Sequence, residues 1–213
     1  MNREEIFKQE INYINDENLK QALVYYINNI PEYILHEGAS STGKYHPDYA
    51  TGDGGLLRHL KASVRIGKEL LDNPLIGNKY TKHQKDMMLF GLLIHDGLKR
   101  GLTEEKYTRF DHPILMANFV LEHQKEAGLN EEDALFISEV IKTHMGPYTR
   151  DYNGDEILET PKTKYQSFVH MCDYLASRKF LEIRFDENNN IIFWFFSINA
   201  CIEAYFLIIY SWF

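Results

Sequence analysis

Residues 81–101 have the sequence TKHQKDMMLFGLLIHDGLKRG, which predicts one helix with both of its ends marked. Thr81 and Gln84 have the spacing of a capping box, in which each of two side chains pairs with the backbone of the other residue at a helix start. The helix leads into the pair His95-Asp96, and the glycine that follows is typical of a helix end. This stretch therefore places a histidine and an aspartate together at the end of an apolar helix.

The same apolar spacing predicts further helices on both sides of this stretch. Their approximate bounds are residues 4–14, 16–31, 56–71, 113–127, 130–146 and 164–183. The segment 38–55 is rich in Gly, Ser, Asp and Pro, which predicts a long loop, and no alternation is strong enough to build a sheet. A chain of 213 residues suits one domain. We therefore predict an all-α fold, a single-domain helical bundle.

The composition restricts the classes of partner. Net charge is −8, because 31 acidic residues outnumber 23 basic ones. Such a chain is a poor general nucleic-acid binder, since phosphate backbones are held by surplus Lys and Arg, although a bound cation makes one pocket locally positive. The two cysteines, Cys172 and Cys201, form no metal-type pair, and the charged N-terminal stretch does not resemble a signal peptide. These features predict reduced thiols and a cytoplasmic location.

The segment 191–213, IIFWFFSINACIEAYFLIIYSWF, is almost entirely apolar and long enough to span a bilayer. Asn199 and Glu203 near its middle oppose that interpretation, because an ionisable group in lipid is costly. Three interpretations stay open: a hairpin or helix buried against the bundle, a membrane tail, or an altered reading frame at the end of the gene. The first is favoured over the second, and membrane attachment is the minority interpretation.

The pair His95-Asp96 has ligand chemistry suited to a divalent cation. Imidazole and carboxylate both bind ions of the Mn, Fe, Zn and Mg type. Two adjacent residues at a helix end can face one point, because the backbone leaves helical geometry there. The apolar helix before the pair predicts that it is partly buried, where an unpaired carboxylate is costly and a cation offsets the cost.

Four further residues of the same chemistry lie at helix boundaries or in apolar settings. His59 is near the start of one predicted helix, and His112 begins another. His144 follows a helix, and Asp173 lies in an apolar stretch of the last one, where a carboxylate is unexpected. A single His-Asp dipeptide carries little weight, but the whole set in this order is a much more specific signal.

The ordered pattern H…HD…H…H…D resembles that of the HD superfamily of metal-dependent phosphohydrolases, over about residues 40–185. The resemblance implies an HD-type helical domain at 38–185, with helices in 1–37 packed on it and a hydrophobic segment at 186–213. The chain departs from the cyclic-dinucleotide branch, because the GYP-type signature is not visible and Met-Gly-Pro follows the fourth histidine. The substrate class therefore stays open.

The resemblance also implies a role for each residue of the pattern. The implied metal ligands are His59, His95, Asp96, His112, His144 and Asp173. In such proteins the outer histidine, the HD pair and the last aspartate hold one ion, while the two intermediate histidines mark members with a second ion, bridged through the HD aspartate. One or two divalent ions of the Mn, Fe, Mg, Zn or Ni class are expected. Asp96 and Lys99 are the expected catalytic residues, since the corresponding family lysine contacts substrate phosphate.

Three more residues are candidates for substrate binding beside Lys99. Arg58 is adjacent to His59 in the sequence, although the sequence does not show which side of the helix it faces. Lys44 and His46 lie in the long loop, where a lid over a substrate would be placed. GKYHP is not a phosphate-cradling loop of the GxxxxGK[ST] type, so any contact would be made by these side chains themselves.

We expect from these residues a hydrolase that cleaves a phosphoester, for example as a phosphodiesterase, in a nucleotide or related phosphorylated substrate by metal-activated water. No Ser or Cys nucleophile motif competes with this interpretation. Two alternatives stay open: 3′–5′ exonuclease-like action on single-stranded nucleic acid, and a non-catalytic module that binds a metal or nucleotide. The physiological substrate, the native metal and the oligomeric state do not follow from the sequence.

Overall fold

The computed structural model describes residues 2–40, 46–179 and 183–192. Within these ranges the chain forms nine α-helices, joined by loops and by two short 3-10 helices at Glu32–Leu35 and Asp48–Ala50. The α-helices are α1 (Arg3–Ile6), α2 (Lys8–Ile11), α3 (Glu17–Asn29), α4 (Gly55–Asp72), α5 (Pro74–Gly77), α6 (Lys82–Ile94), α7 (His112–Glu122), α8 (Glu131–Lys142) and α9 (Lys164–Ala176).

The all-α prediction is confirmed for this part of the chain. Its only pairing of the strand type consists of two isolated bridges, Arg150 with Glu156 and Phe185 with Ile191. No helix among the described residues is both long and apolar enough to cross a bilayer. Residues 193–213, which form most of the apolar C-terminal segment, lie outside the described ranges, so the three interpretations of that segment stay predictions.

The start of α6 is the capping box that the sequence predicts. The Thr81 hydroxyl accepts from the Gln84 backbone N–H at 3.2 Å, and the Gln84 side chain accepts from the Thr81 N–H at 3.0 Å. Each bond satisfies a backbone donor that the first turn of a helix leaves without a partner. His95 is the C-terminal cap of the same helix, so the His-Asp pair does lie at a helix end.

Four predicted helices were wrong in extent, and two of them, predicted over 113–127 and 130–146, end early, at Glu122 and Lys142. The helix predicted over 4–14 is two short helices, because the chain leaves helical geometry at Phe7, whose side chain is buried. The helix predicted to reach residue 183 ends at Ala176. The Ser177 hydroxyl donates to the Tyr174 carbonyl at 2.8 Å and the Arg178 guanidinium donates to the same oxygen at 3.2 Å. Side chains that bond to last-turn carbonyls in this way favour a helix end.

Helix α4 is central to the bundle, because it packs against both α6 and α9, while α8 packs against α6, α7 and α9. Tyr26 ties α3 into this core: it is fully buried and its hydroxyl donates to the Val120 carbonyl at 2.7 Å. Its ring makes edge contacts with Phe90 and Phe119. The buried hydroxyl is satisfied, so the aromatic ring adds apolar burial without the cost of an unpaired polar group. These helices carry the side chains of the site described below.

A prediction about pH follows from His83, which links three elements. Its Nε2 lies 2.7 Å from an Asp133 carboxylate oxygen and its Nδ1 lies 3.6 Å from Asp16. The hydrogen bond to Asp133 is the main reason why the pKa of His83 lies above its ordinary value of 6.5. Folding therefore favours the protonated ring, so its contribution is complete below about pH 6.5 and is lost as the pH rises through the folded-state pKa.

We expect His83→Gln to lower the free energy of unfolding by about 0.5 kcal/mol at pH 5.5 and by less at pH 8.5, since the side chain is 44% exposed and solvent screens the pair. Urea unfolding of both proteins at the two pH values measures this difference. The difference in the free energy of unfolding between the two proteins at each pH removes the contribution of the other histidines, which titrate in both. An equal loss at both pH values would contradict the charge-dependent role.

Candidate metal centre

Five elements bring six histidine and aspartate side chains to one place. They come from α4, from the end of α6, from the first residue of α7, from the turn after α8 and from α9. In chain order they are His59, His95, Asp96, His112, His144 and Asp173. The side chain of Asp173 is 16% exposed, and the other five are at most 2% exposed. Helix ends and a central helix thus build a buried, polar cluster within an apolar bundle.

One half of the cluster, here called the first subsite, consists of His59, His95, Asp173 and the Oδ2 atom of Asp96. The Oδ1 atom of Asp173 lies 3.0 Å from Nε2 of His59 and 3.4 Å from Nε2 of His95. Asp96 Oδ2 lies 3.8 Å and 3.6 Å from the same two nitrogens. Donor atoms of His59, His95 and Asp173 lie within 4.8 Å of one another, and imidazole and carboxylate are both ligands of divalent cations.

The other half, here called the second subsite, consists of His112, His144 and the Oδ1 atom of Asp96. This oxygen lies 2.9 Å from Nε2 of His112 and 3.5 Å from Nε2 of His144, and the two nitrogens are 3.2 Å apart. The two oxygens of one carboxylate are therefore divided between the subsites. Asp96 alone among the six side chains contributes an atom to each.

Three of the four rings are fixed in the same way. Nδ1 of His95 lies 2.7 Å from the Leu92 carbonyl, and the rings of His112 and His144 have the same contact, at 2.6 and 2.8 Å, with the carbonyl three residues before each. A carbonyl accepts only, so Nδ1 carries the hydrogen and Nε2 of the neutral ring is left with a lone pair. Ligand histidines are commonly held by such contacts at the other ring nitrogen.

Several atoms of the cluster lack hydrogen-bond partners among residues 2–40, 46–179 and 183–192. Both ring nitrogens of His59, Nε2 of His95 and Oδ1 of Asp96 are buried without one. Asp96 Oδ1 is close to Nε2 of His112, but two lone pairs at 2.9 Å repel each other unless a cation or a proton lies between them. A buried polar atom with no partner costs about 1–3 kcal/mol. A cation would offset this cost for several atoms at once.

The charges in the cluster also favour a cation. Burial opposes ionisation of Asp96, but the Lys99 ammonium and the neighbouring histidines hold its pKa well below the ordinary value. Burial opposes ionisation of Asp173 in the same way, and contacts with two histidines hold its pKa well below the usual range. Both carboxylates are therefore ionised at neutral pH. Burial lowers the pKa of His144 to about 4, so this ring is neutral and can offer its lone pair.

His95 differs from His144 because it faces both carboxylates. Burial lowers the pKa of His95, but the charges of Asp96 and Asp173 raise it further, so the pKa lies above its ordinary value. A protonated ring cannot act as a ligand. Binding of a cation at the first subsite would therefore displace a proton, which is general for metal sites built from histidine.

Lys99, predicted to contact substrate phosphate, does lie beside the cluster. Its ammonium donates to Asp96 Oδ2, and its side chain is 12% exposed. Four of the five N–H groups of Arg58 donate to the carbonyls of Tyr49, Thr51 and Asp53 and to the Asn189 side chain. These bonds hold the loop, and a contact between Arg58 and substrate stays a prediction.

The two candidates in the long loop have different outcomes. Lys44 lies outside the described residues, so its proposed substrate contact stays a prediction. His46 is half-buried beside the cluster, and its ring meets the ring of His59 edge to face with centroids 5.4 Å apart. It lies outside the groups whose donor atoms could together hold an ion.

His170 supports the cluster in a way that the sequence does not specify. Its Nδ1 donates to the His144 carbonyl at 2.7 Å, which fixes the turn that carries this candidate ligand. Gly146, at φ +64°, lies directly against the His170 ring, so closely that a Cβ atom there would be 2.1 Å from a ring carbon. The turn therefore requires glycine. The one signal for this contact in the sequence is that His170 lies three residues before Asp173.

Cavity size does not identify the site. A cavity of about 600 Å³ lies between α4 and residues 183–192, and one of about 380 Å³ lies between α7 and the loop before it. Neither is lined by any of the six clustered residues. The donor chemistry of the cluster is therefore the stronger guide.

Two groups in the cluster have donor atoms within 4.8 Å of one another: His59 with His95 and Asp173, all in the first subsite, and His95 with Asp96 and His144, which joins residues of both subsites. The cluster is a candidate metal centre. No protein-family model, curated protein or solved structure matches this chain.

Proposed function

We propose that the chain is a metal-dependent phosphohydrolase that cleaves a phosphoester bond in a nucleotide or a related phosphorylated substrate. The observation that carries the proposal is the Asp96 carboxylate, whose two oxygens face two separate groups of histidine nitrogens. A carboxylate shared in this way is suited to bridging two divalent ions, and paired ions are a common device for phosphoester hydrolysis. The similarity of the residue order to the HD superfamily supports the same activity.

The chain would position the ions and the substrate rather than attack the phosphorus itself. One or two divalent cations, when bound, would supply Lewis-acid charge and a more acidic water molecule. Asp96 would contribute one carboxylate oxygen to each subsite, and Asp173 would be a further ligand of the first subsite. Lys99, at the partly exposed edge, would donate to a non-bridging phosphoryl oxygen. Cys172 is an unsuitable nucleophile, because it is fully buried and burial raises the pKa of its thiol.

A second candidate function is a metal- or nucleotide-binding module without turnover. It is favoured by the burial of the cluster, in which only Asp173 exceeds 2% exposure among the six side chains. Turnover requires that a phosphoryl group reaches this cluster. The two functions therefore differ in whether the metal-loaded protein releases product.

The test of the proposal combines metal analysis with turnover. We expect the purified full chain to bind Mn²⁺ and to release p-nitrophenol from bis- or mono-p-nitrophenyl phosphate. A panel of nucleoside phosphates, cyclic nucleotides and short oligonucleotides then separates nucleotidase-like from exonuclease-like action. His83→Gln, which is outside the cluster, serves as a control with unchanged turnover. Bound metal with no turnover of any substrate would favour the binding module, and absence of bound metal would refute the hydrolase and the metal-binding module.

Lys99→Met is expected to lower kcat/KM by about a hundredfold while metal content stays the same, because one charged donor to the phosphoryl group is lost. Lys106→Met is the matched control, since Lys106 is exposed in the loop between Lys99 and α7. Turnover and metal content are measured for both variants. Equal turnover in the two variants would remove Lys99 from the catalytic residues.

A further inference from the structure

Solvent reaches the cluster at one edge. Among the candidate ligands only Asp173 has appreciable side-chain exposure, at 16%, and the neighbouring Lys99 side chain is 12% exposed. The other five ligand side chains are almost fully enclosed. A phosphorylated substrate would therefore meet the cluster beside Lys99 and Asp173.

His46 lies beside the His59 ring and has a nitrogen without a partner among the described residues. Its half-buried ring contacts that of His59, and it is within electrostatic reach of Lys99, Asp173 and Asp96. Its Nδ1 is buried and forms no hydrogen bond within the part of the chain that the structure describes. A buried polar atom without a partner is uncommon in folded proteins, and such an atom commonly binds a ligand or a water molecule.

The backbone that carries His46 is fastened to the bundle. Arg58, on α4, donates to the carbonyls of Tyr49, Thr51 and Asp53, and the Tyr49 hydroxyl donates to the Ala176 carbonyl at 2.6 Å. Gly55 closes the same loop so tightly that a Cβ atom there would lie 2.5 Å from the Ala50 carbonyl oxygen. The segment from 46 to 55 is thus held by hydrogen bonds to α4 and to the end of α9.

We propose that His46 contacts the substrate, with a ring nitrogen hydrogen-bonded to a phosphoryl oxygen beside the first subsite. The inference rests on the proposed function and deepens it, because it identifies a second protein contact to the phosphoryl group on the side of the loop. Lys99 and His46 would then hold the phosphoryl group from two directions at the exposed edge. Arg58, next to His59 in the sequence, acts as a positioning residue for the loop that carries His46.

The test uses inorganic phosphate as the probe and the Mn²⁺-loaded full chain as the protein. We expect His46→Phe to weaken phosphate binding about tenfold or more, since a hydrogen bond to a charged group is lost. His46→Gln retains a side-chain donor and should stay within about threefold of wild type. His36→Phe is the control, because His36 is an exposed histidine before the same loop. Calorimetry gives the phosphate affinity, and elemental analysis gives the metal content.

The outcomes separate the two proposals. Wild-type metal content in all variants, with weaker phosphate binding only in His46→Phe, supports the substrate contact. Unchanged phosphate affinity in His46→Phe overturns the inference and leaves the proposed function intact. Loss of Mn²⁺ from His46→Phe also overturns it, since His46 would then be a metal ligand. Failure of the wild-type chain to bind Mn²⁺ overturns the proposed function and with it the role of His46.

Discussion

Replacing Asp96 by Asn is expected to remove metal from both subsites and to lower kcat/KM by at least about ten-thousandfold, because both ions and their charge stabilisation are lost together. The amide keeps the shape of the side chain but not its negative charge, and Asp96 supplies an oxygen to each subsite. Elemental analysis of the purified variant and its turnover of bis-p-nitrophenyl phosphate measure the two losses.

Asp72→Asn is the matched control for this substitution, since Asp72 is an exposed aspartate at the end of α4 that pairs with Lys68. It should retain the metal content and turnover of the wild type. Circular dichroism shows whether each variant is folded. Wild-type turnover in a folded Asp96→Asn protein would refute the metal centre as the source of activity.

His112→Ala is expected to cost the ion of the second subsite and to lower kcat/KM by about a thousandfold, which is the contribution of one Lewis-acid ion. Nε2 of His112 lies 2.9 Å from Asp96 Oδ1, the oxygen assigned to the second subsite. The metal content should therefore fall from two ions to one per chain. Elemental analysis and turnover are again the measurements.

His59→Ala provides the comparison for His112→Ala, because it removes a ligand from the first subsite only. Each variant should retain the ion of the other subsite. If the wild-type chain holds one ion and His112→Ala holds the same amount, the centre has a single ion and the second subsite has another role.

The sequence predicts local features of the fold well. The capping box at Thr81 depends on residues three apart, so it can be recognised without knowledge of the rest of the chain. The break at Phe7 could not be predicted, because apolar spacing does not show where the backbone leaves helical geometry. The end of α9 at Ala176 accompanies a hydrogen bond from the Ser177 side chain to the Tyr174 carbonyl, in the last turn of the helix. Apolar spacing does not reveal such a bond.

The candidate site could be predicted as a set of residues but not as an arrangement. The six side chains were indicated by residue type, by helix ends and by the order of a known family. The division of the Asp96 oxygens between two subsites needs three-dimensional contacts. Arg58 shows why: it is adjacent to His59 in the sequence, yet its side chain donates to the loop carbonyls of Tyr49, Thr51 and Asp53. His46 likewise became informative only when its loop was placed against His59.

The contacts that hold three of the histidine rings have a consequence for how the centre assembles. Each ring is oriented by a carbonyl only three residues away in its own turn, so its direction and tautomer are set by short-range structure. An incoming ion would therefore meet ligands that have already lost most of their rotational freedom, and the entropic cost of ordering them falls on folding of the chain. Substitutions far from these turns would then change the distances between ligands more than they change the orientation of any single ring.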